Sequence, residues 1–109
     1  EKGKMIYIAC PYWHPAPEVR TNRRKIAVSY ADMLTRAGVL NYSPLTYTER
    51  YANEDIPEDY WIRHGLEMVK ACDEMHILCV PGWEESRGIK GELRAARENN
   101  LKVIYREVL

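Results

Sequence analysis

A chain of 109 residues with 16 Lys and Arg against 16 Asp and Glu carries no net charge. It therefore lacks the electrostatic footprint for long nucleic acid or an anionic membrane surface, and no apolar run approaches the roughly 18 residues of a membrane span. With 46% apolar and 29% charged residues, the composition is that of one ordinary globular domain spanning residues 1–109, not of a disordered segment.

Glu1-Lys2-Gly3-Lys4 leads straight into an apolar run without a secretory pattern, and Met5 is a candidate native start. Met5 to Cys10 reads as a strand buried on both faces. Pro11 to Pro17 breaks that pattern. From about Glu18 to Ala37 the apolar positions Val19, Ile26, Tyr30, Leu34 and Ala37 recur at helical spacing, and Gly38 closes the helix. Val39 to Tyr42 is a second short strand, ended by Ser43-Pro44. Leu45 to Pro57 is polar and aromatic without periodicity, and loops of that length are usually functional or mobile.

Pro57 opens a helix to about Ala71. It carries Ile62, Leu66 and Val69 on one stripe and Trp61, Met68 and Cys72 on another, which predicts burial on more than one side. Met75 to Val80 is a third buried strand, turned by Pro81-Gly82. A helix follows from about Ser86 to Asn99, then Asn100 as a cap and a fourth strand from Leu101 to Tyr105.

Strands alternating with helices predict an α/β fold. The expected architecture is a three-layer, doubly wound, flavodoxin- or Rossmann-like parallel sheet of four or five strands with flanking helices. Ligands of such folds sit beyond the carboxyl ends of the strands, so the loops Cys10 to Pro17, Ser43 to Pro57 and Pro81 to Ser86 matter most. The three cysteines, Cys10, Cys72 and Cys79, lie in apolar runs and read as reduced, packed thiols of a cytosolic (cytoplasmic) protein. They and the histidines have no metal-ligand spacing, and Cys10 has no local base signal that would make it a nucleophile. His14 reads as a solvated loop residue and His76 as a packed or edge histidine.

Pro81 to Glu92 is the most informative segment. Ser86 stands where an N-cap belongs, and Gly88 lets a ligand approach first-turn N–H groups that lack helical partners. Glu92, three residues after Ile89 and four before Ala96, falls on the stripe facing the sheet. A carboxylate there suits attack on a sugar carbon. The same residue could equally pair with Arg87 or Arg97 at the surface. Tyr12 and Trp83 could stack on a base or pack at a rim, and Arg23 shares a stripe with Val19 and Ile26.

Tyr7-Ile8-Ala9-Cys10-Pro11-Tyr12, the run Arg23 to Gly38 followed by Tyr42-Ser43-Pro44, Cys72-Asp73 entering a strand, and Pro81-Gly82-Trp83-x-x-Ser86-x-Gly88-x-x-x-Glu92 together resemble the nucleoside 2-deoxyribosyltransferase superfamily, in particular a small branch of about this length. The resemblance implies a glycosyl-enzyme intermediate formed on Glu92, with the sugar passed to another base or to water. It implies Tyr7 as the residue orienting Glu92, and Ser86, Gly88 and Arg23 as phosphate contacts. It implies no metal or organic cofactor, and a homo-oligomer, towards which a neutral surface also leans.

The family's aspartate, which helps protonate the leaving base, is missing. The matching stretch reads Trp61-Ile62-Arg63-His64-Gly65-Leu66, leaving His64, Asp55 or Asp59 as substitutes or no acid at all. The expected function is a nucleoside or nucleoside-monophosphate N-glycosidase or deoxyribosyltransferase. Its rivals are a non-catalytic nucleotide-binding or sensing module and a structural subunit with an empty pocket.

Overall fold

Met5–Ala9 can find two apolar faces only inside a sheet, and it forms the inner strand β1 of a four-stranded parallel sheet of order β2-β1-β3-β4. The computed structural model describes residues 4–51 and 54–108; the Glu1-Lys2-Gly3 start lies outside them. The chain leaves β1 through α1 (Pro17–Arg36) to β2 (Leu40–Tyr42). It then crosses β1 through α2 (Pro44–Tyr47), a 3-10 turn (Thr48–Tyr51) and α3 (Glu58–Ala71) to reach β3 (Glu74–Leu78). A 3-10 turn (Trp83–Glu85) and α4 (Arg87–Glu98) lead on to β4 (Lys102–Arg106).

The pleat sends alternate residues to opposite faces. Ile6, Ile8 and Leu78 pack with Ala31 and Leu34 of α1 on one side. Tyr7, Ala9, Met75 and Ile77 pack with Val69 of α3 and Ile89, Ala95 and Ala96 of α4 on the other. This is the expected three-layer arrangement, with four strands. α1 and α4 leave the neighbouring strands β1 and β3 towards opposite faces, and folds of this kind take their ligands beyond the carboxyl ends of two such strands.

Local signals account for most element ends. Pro17 sits in the first turn of α1, where its missing N–H costs nothing. Past the last turn Gly38 takes φ 78°, and past α4 Asn100 takes φ 60°, the left-handed positions that end helices. Ser43 and Ser86 cap α2 and α4 by accepting hydrogen bonds from Thr46 N and Ile89 N. His14 is half-buried rather than solvated, with Nδ1 accepting from Ala16 N at 3.0 Å just ahead of α1.

Two further expectations fail. The stretch after Pro44 is not a plain loop: Ser43 caps one helical turn and a 3-10 turn follows. Nor is α3 buried on several sides, since Ile62 is 56% exposed and Leu66 37%. Only the Trp61–Met68–Cys72 side and Val69 turn inward, because one sheet face cannot cover a whole helix.

His76 lies buried under α1, with Nδ1 against Tyr30 Oη at 2.7 Å and Nε2 against Glu74 Oε1 at 3.3 Å. Burial lowers its pKa, Arg106 adds to that, and the Glu74 hydrogen bond opposes it. The unfolded chain therefore takes up a proton near the ordinary value of 6.5 that the folded chain resists. The stability His76 contributes is present above that value and drains away as pH falls through it. The melting-temperature advantage of the wild type over His76→Phe is thus expected to shrink between about pH 7.5 and 5.5 by scanning calorimetry.

Candidate active site

Tyr7 points from the middle of β1 towards α4, and its side chain is 0% exposed. A phenol so buried needs a partner. It has one: Tyr7 Oη donates to Glu92 Oε2 at 2.5 Å. Glu92 lies on the second turn of α4, between Ile89 and Ala96 on the face that meets the sheet. Among the described residues it forms no ion pair, so it pairs with neither Arg87 nor Arg97.

Withdrawal from water pushes the Glu92 carboxyl up to about 7, although the Tyr7 hydrogen bond pulls the other way. Tyr7 is raised well above the ordinary phenol value, first by burial and then by the Glu92 charge. It remains protonated and donating. The pair is a half-buried carboxylate held by one strong donor and, among the described residues, paired with no cation, so its negative charge is available to a carbon that becomes positive.

The rest of the site surrounds this pair. Tyr42, at the end of β2 and in register with Tyr7, sets its ring 5.8 Å from the Tyr7 ring. Across from them Gly65 of α3 comes so close that a Cβ there would lie 3.5 Å from Tyr7 Oη. Its neighbour His64 places Nδ1 3.2 Å from Tyr42 Oη and stacks on Tyr47 with ring centroids 5.1 Å apart. Asp55 and Asp59 are both exposed. Asp59 lies five residues before His64, about 140° around the helix, and so faces away from the sheet.

The other anticipated residues divide. Ser86 Oγ accepts from Ile89 N at 3.2 Å, which leaves its proton for a ligand. Gly88 is exposed, and a Cβ there would meet nothing nearer than Ser86 Oγ at 3.8 Å. The protein's own packing therefore does not demand a glycine at 88, and the space above the α4 amino terminus is open.

Arg23, expected as a phosphate contact, spends two of its donors inside the protein. It is buried, with Nη1 donating to Trp13 O at 2.8 Å and Nη2 to Pro81 O at 2.9 Å. It thereby staples the loop after β1 to the loop after β3. The Tyr12 ring is covered by the Arg24 guanidinium at 4.7 Å, and Trp83 packs on Tyr105 at 5.5 Å. Burial pushes the Cys10 thiol up to about 12, far from a thiolate. Among the described residues no three His, Cys, Asp or Glu side chains are grouped so as to hold a metal ion, and no helix is long and apolar enough to cross a membrane.

Sequence reading alone missed Tyr42, Tyr47 and Gly65. The available signal was the position of Tyr42 at the end of a strand that pairs with β1; Tyr47 and Gly65 enter only through tertiary packing.

The fold is shared with solved enzymes. A 2-deoxyribosyltransferase of the psychrotolerant bacterium Bacillus psychrosaccharolyticus, characterised as a biocatalyst for nucleoside synthesis, superposes with a TM-score of 0.70 at 18% identity, over 94% of this chain and 72% of that one. A Leishmania mexicana 2-desoxiribosyltransferase gives 0.66 at 18% identity, over 95% of this chain and 64% of that one. The chain thus spans less than two thirds of the Leishmania protein. No curated protein matches the sequence. A family profile described as "Domain of unknown function (DUF1937)" matches residues 4–107, and the chain belongs to that family.

Proposed function

We propose that this chain is an N-glycosidase or deoxyribosyltransferase acting on nucleosides or nucleoside monophosphates, with Glu92 as the nucleophile. The observation that carries the reading is the isolated, desolvated carboxylate of Glu92 held at 2.5 Å by the buried Tyr7. A carboxylate partly withdrawn from water, with no ion-pair partner among the described residues, is a good nucleophile towards an anomeric carbon that acquires positive charge as the base departs. Tyr7 holds one oxygen and leaves the other to attack. The open amino terminus of α4, with Ser86 and Gly88, would take a 5′-phosphate or a sugar hydroxyl. The likeness of fold to nucleoside-handling enzymes supports the same class.

The test is base release from a panel of nucleosides and monophosphates, followed chromatographically for the wild type and Glu92→Ala. Release by the wild type alone supports the enzyme. Nucleotide binding by both proteins with release by neither would instead favour a binding or sensing module, a reading suggested by the exposure of Asp55 and Asp59.

A pH profile carries a second expectation. The rate should climb with pH as Glu92 ionises, with its acidic limb near the value of about 7 to which burial raises the carboxyl. Tyr7→Phe removes the one interaction that lowers that value. Its limb should move to higher pH, and the rate at the plateau should fall by about ten- to a hundredfold, the worth of a hydrogen bond to a charged group.

A further inference from the structure

Breaking a glycosidic C–N bond leaves an electron pair on the base nitrogen, and most bases leave slowly unless that nitrogen is protonated. Granted the proposed function, the proton must come from a group close to the Glu92–Tyr7 pair but distinct from it, since Tyr7 spends its own proton on Glu92.

Few described groups qualify. Asp55 and Asp59 are exposed. Cys10 directs its thiol towards the backbone carbonyls of Pro11 and Arg23. Tyr42 has the right place. It stands opposite Tyr7 in the β1–β2 register, and its hydroxyl is backed at 3.2 Å by His64 Nδ1.

His64 is itself built in. Its ring stacks on Tyr47 at 5.1 Å and 9°, lies near-parallel to Tyr60 at 5.9 Å and 29°, and meets Trp61 edge-on at 6.1 Å and 79°. Three rings fix the orientation of an imidazole whose nitrogen addresses a hydroxyl next to the site. A histidine kept only for apolar packing would not need that alignment. The neighbouring Gly65 brings this part of α3 against Tyr7 Oη, so the phenol–imidazole pair borders the space where Glu92 would meet a sugar.

We propose that Tyr42 donates the proton to the departing base and that His64 is the positioning residue that resupplies it. As Glu92 forms its bond to the anomeric carbon, the C–N bond breaks and its electron pair goes to the base nitrogen. The Tyr42 hydroxyl proton moves to that nitrogen, and the Nδ1 proton of the imidazolium moves to the Tyr42 oxygen. The base leaves neutral and His64 is left neutral. When water or a second base takes the sugar from Glu92, the proton lost by that nucleophile returns through Tyr42 to His64. Burial, then Tyr47 and the Glu92 charge, hold the Tyr42 phenol above its ordinary value, which keeps it from ionising between turnovers.

The experiment compares two leaving groups on wild type, Tyr42→Phe, His64→Ala and Glu92→Ala, each first checked for a native circular-dichroism spectrum and melt. One substrate is 2′-deoxyadenosine or its monophosphate, whose base needs a proton. The other is the 7-methyl-2′-deoxyguanosine counterpart, whose cationic purine leaves without one. Tyr42→Phe and His64→Ala are expected to release adenine at least about a hundredfold more slowly, the usual worth of general acid catalysis, and 7-methylguanine at near the wild-type rate.

Equal slowing on both substrates would assign the pair a structural role and overturn the proposal, as would no slowing on either. If Tyr42→Phe alone behaves as expected while His64→Ala matches wild type, the resupply by His64 is wrong. Absence of cleavage by the wild type, with Glu92→Ala indistinguishable from it, would instead sink the enzymatic reading on which the proposal rests.

Discussion

Glu92→Gln is expected to abolish base release and, above neutral pH, to make the protein more stable. The first effect follows from the chemistry: an amide in the same place cannot attack an anomeric carbon, and loss of a nucleophile costs on the order of 10⁶-fold in rate. The second follows from burial. Folding raises the Glu92 carboxyl from 4.5 to about 7, so the folded chain binds that proton more tightly than the unfolded one does. The stability Glu92 contributes is complete below the unfolded value and is lost as pH rises through the folded one.

Glutamine has no charge to desolvate and can still accept the Tyr7 hydroxyl. Its melting temperature should exceed that of the wild type by about 5 °C at about pH 8, with the gap closing towards about pH 5. Calorimetry across that range checks this independently of any substrate. A gap that stayed constant with pH would mean that Glu92 is not held in the low-dielectric setting described. A gain in stability on losing a catalytic group is the usual mark of a site kept under electrostatic strain.

The second large effect concerns Arg23. Arg23→Met keeps most of the aliphatic stem but removes both donors, leaving the carbonyls of Trp13 and Pro81 without them. Two hydrogen bonds from a buried charged group outweigh the relief of no longer burying it, and a loss of about 3 kcal/mol is expected. Urea unfolding should show the midpoint falling by roughly 2 M.

Gly82→Ala attacks the same staple from the other side. Its Cβ would lie 2.9 Å from Arg23 Nη2, and residue 82 has φ 90°, a conformation costly for alanine. Kinetics separate the staple from a phosphate contact. If Arg23 only pins the loops, Arg23→Met raises KM alike for a nucleoside and its monophosphate; a selective loss of the monophosphate would restore the phosphate role.

The pattern of residues disclosed the layers, because period and punctuation are local. The Met5 run, Gly38, the Ser86 cap and Asn100 each carry their own signal, and each lies within a residue or two of where an element begins or ends. The Tyr7–Glu92 pair was readable only with the family resemblance, since 85 positions separate the two residues and helical spacing alone left Glu92 as free to pair with an arginine. Arg23 shows where such reading stops. Its stripe correctly put it inward, but whether an inward arginine meets a ligand or two carbonyls depends on loops whose course no periodicity encodes. The helical turn at Pro44 was missed for a related reason: one capped turn is too short to show a period.

The Arg23 staple also determines which parts of the site can adapt to what binds there. Two of its walls, the loops beyond β1 and β3, are tied to one guanidinium and must shift together or not at all. A third wall is the helix α4, anchored in the core through Ile89 and Ala96. Granted the proposed function, accommodation of ligands of different size would fall to Thr48–Tyr51, whose Tyr51 ring rests against Tyr47 and Trp61. Selectivity among bases would accordingly be tuned along this one aromatic margin, while the geometry around the anomeric carbon stays constant.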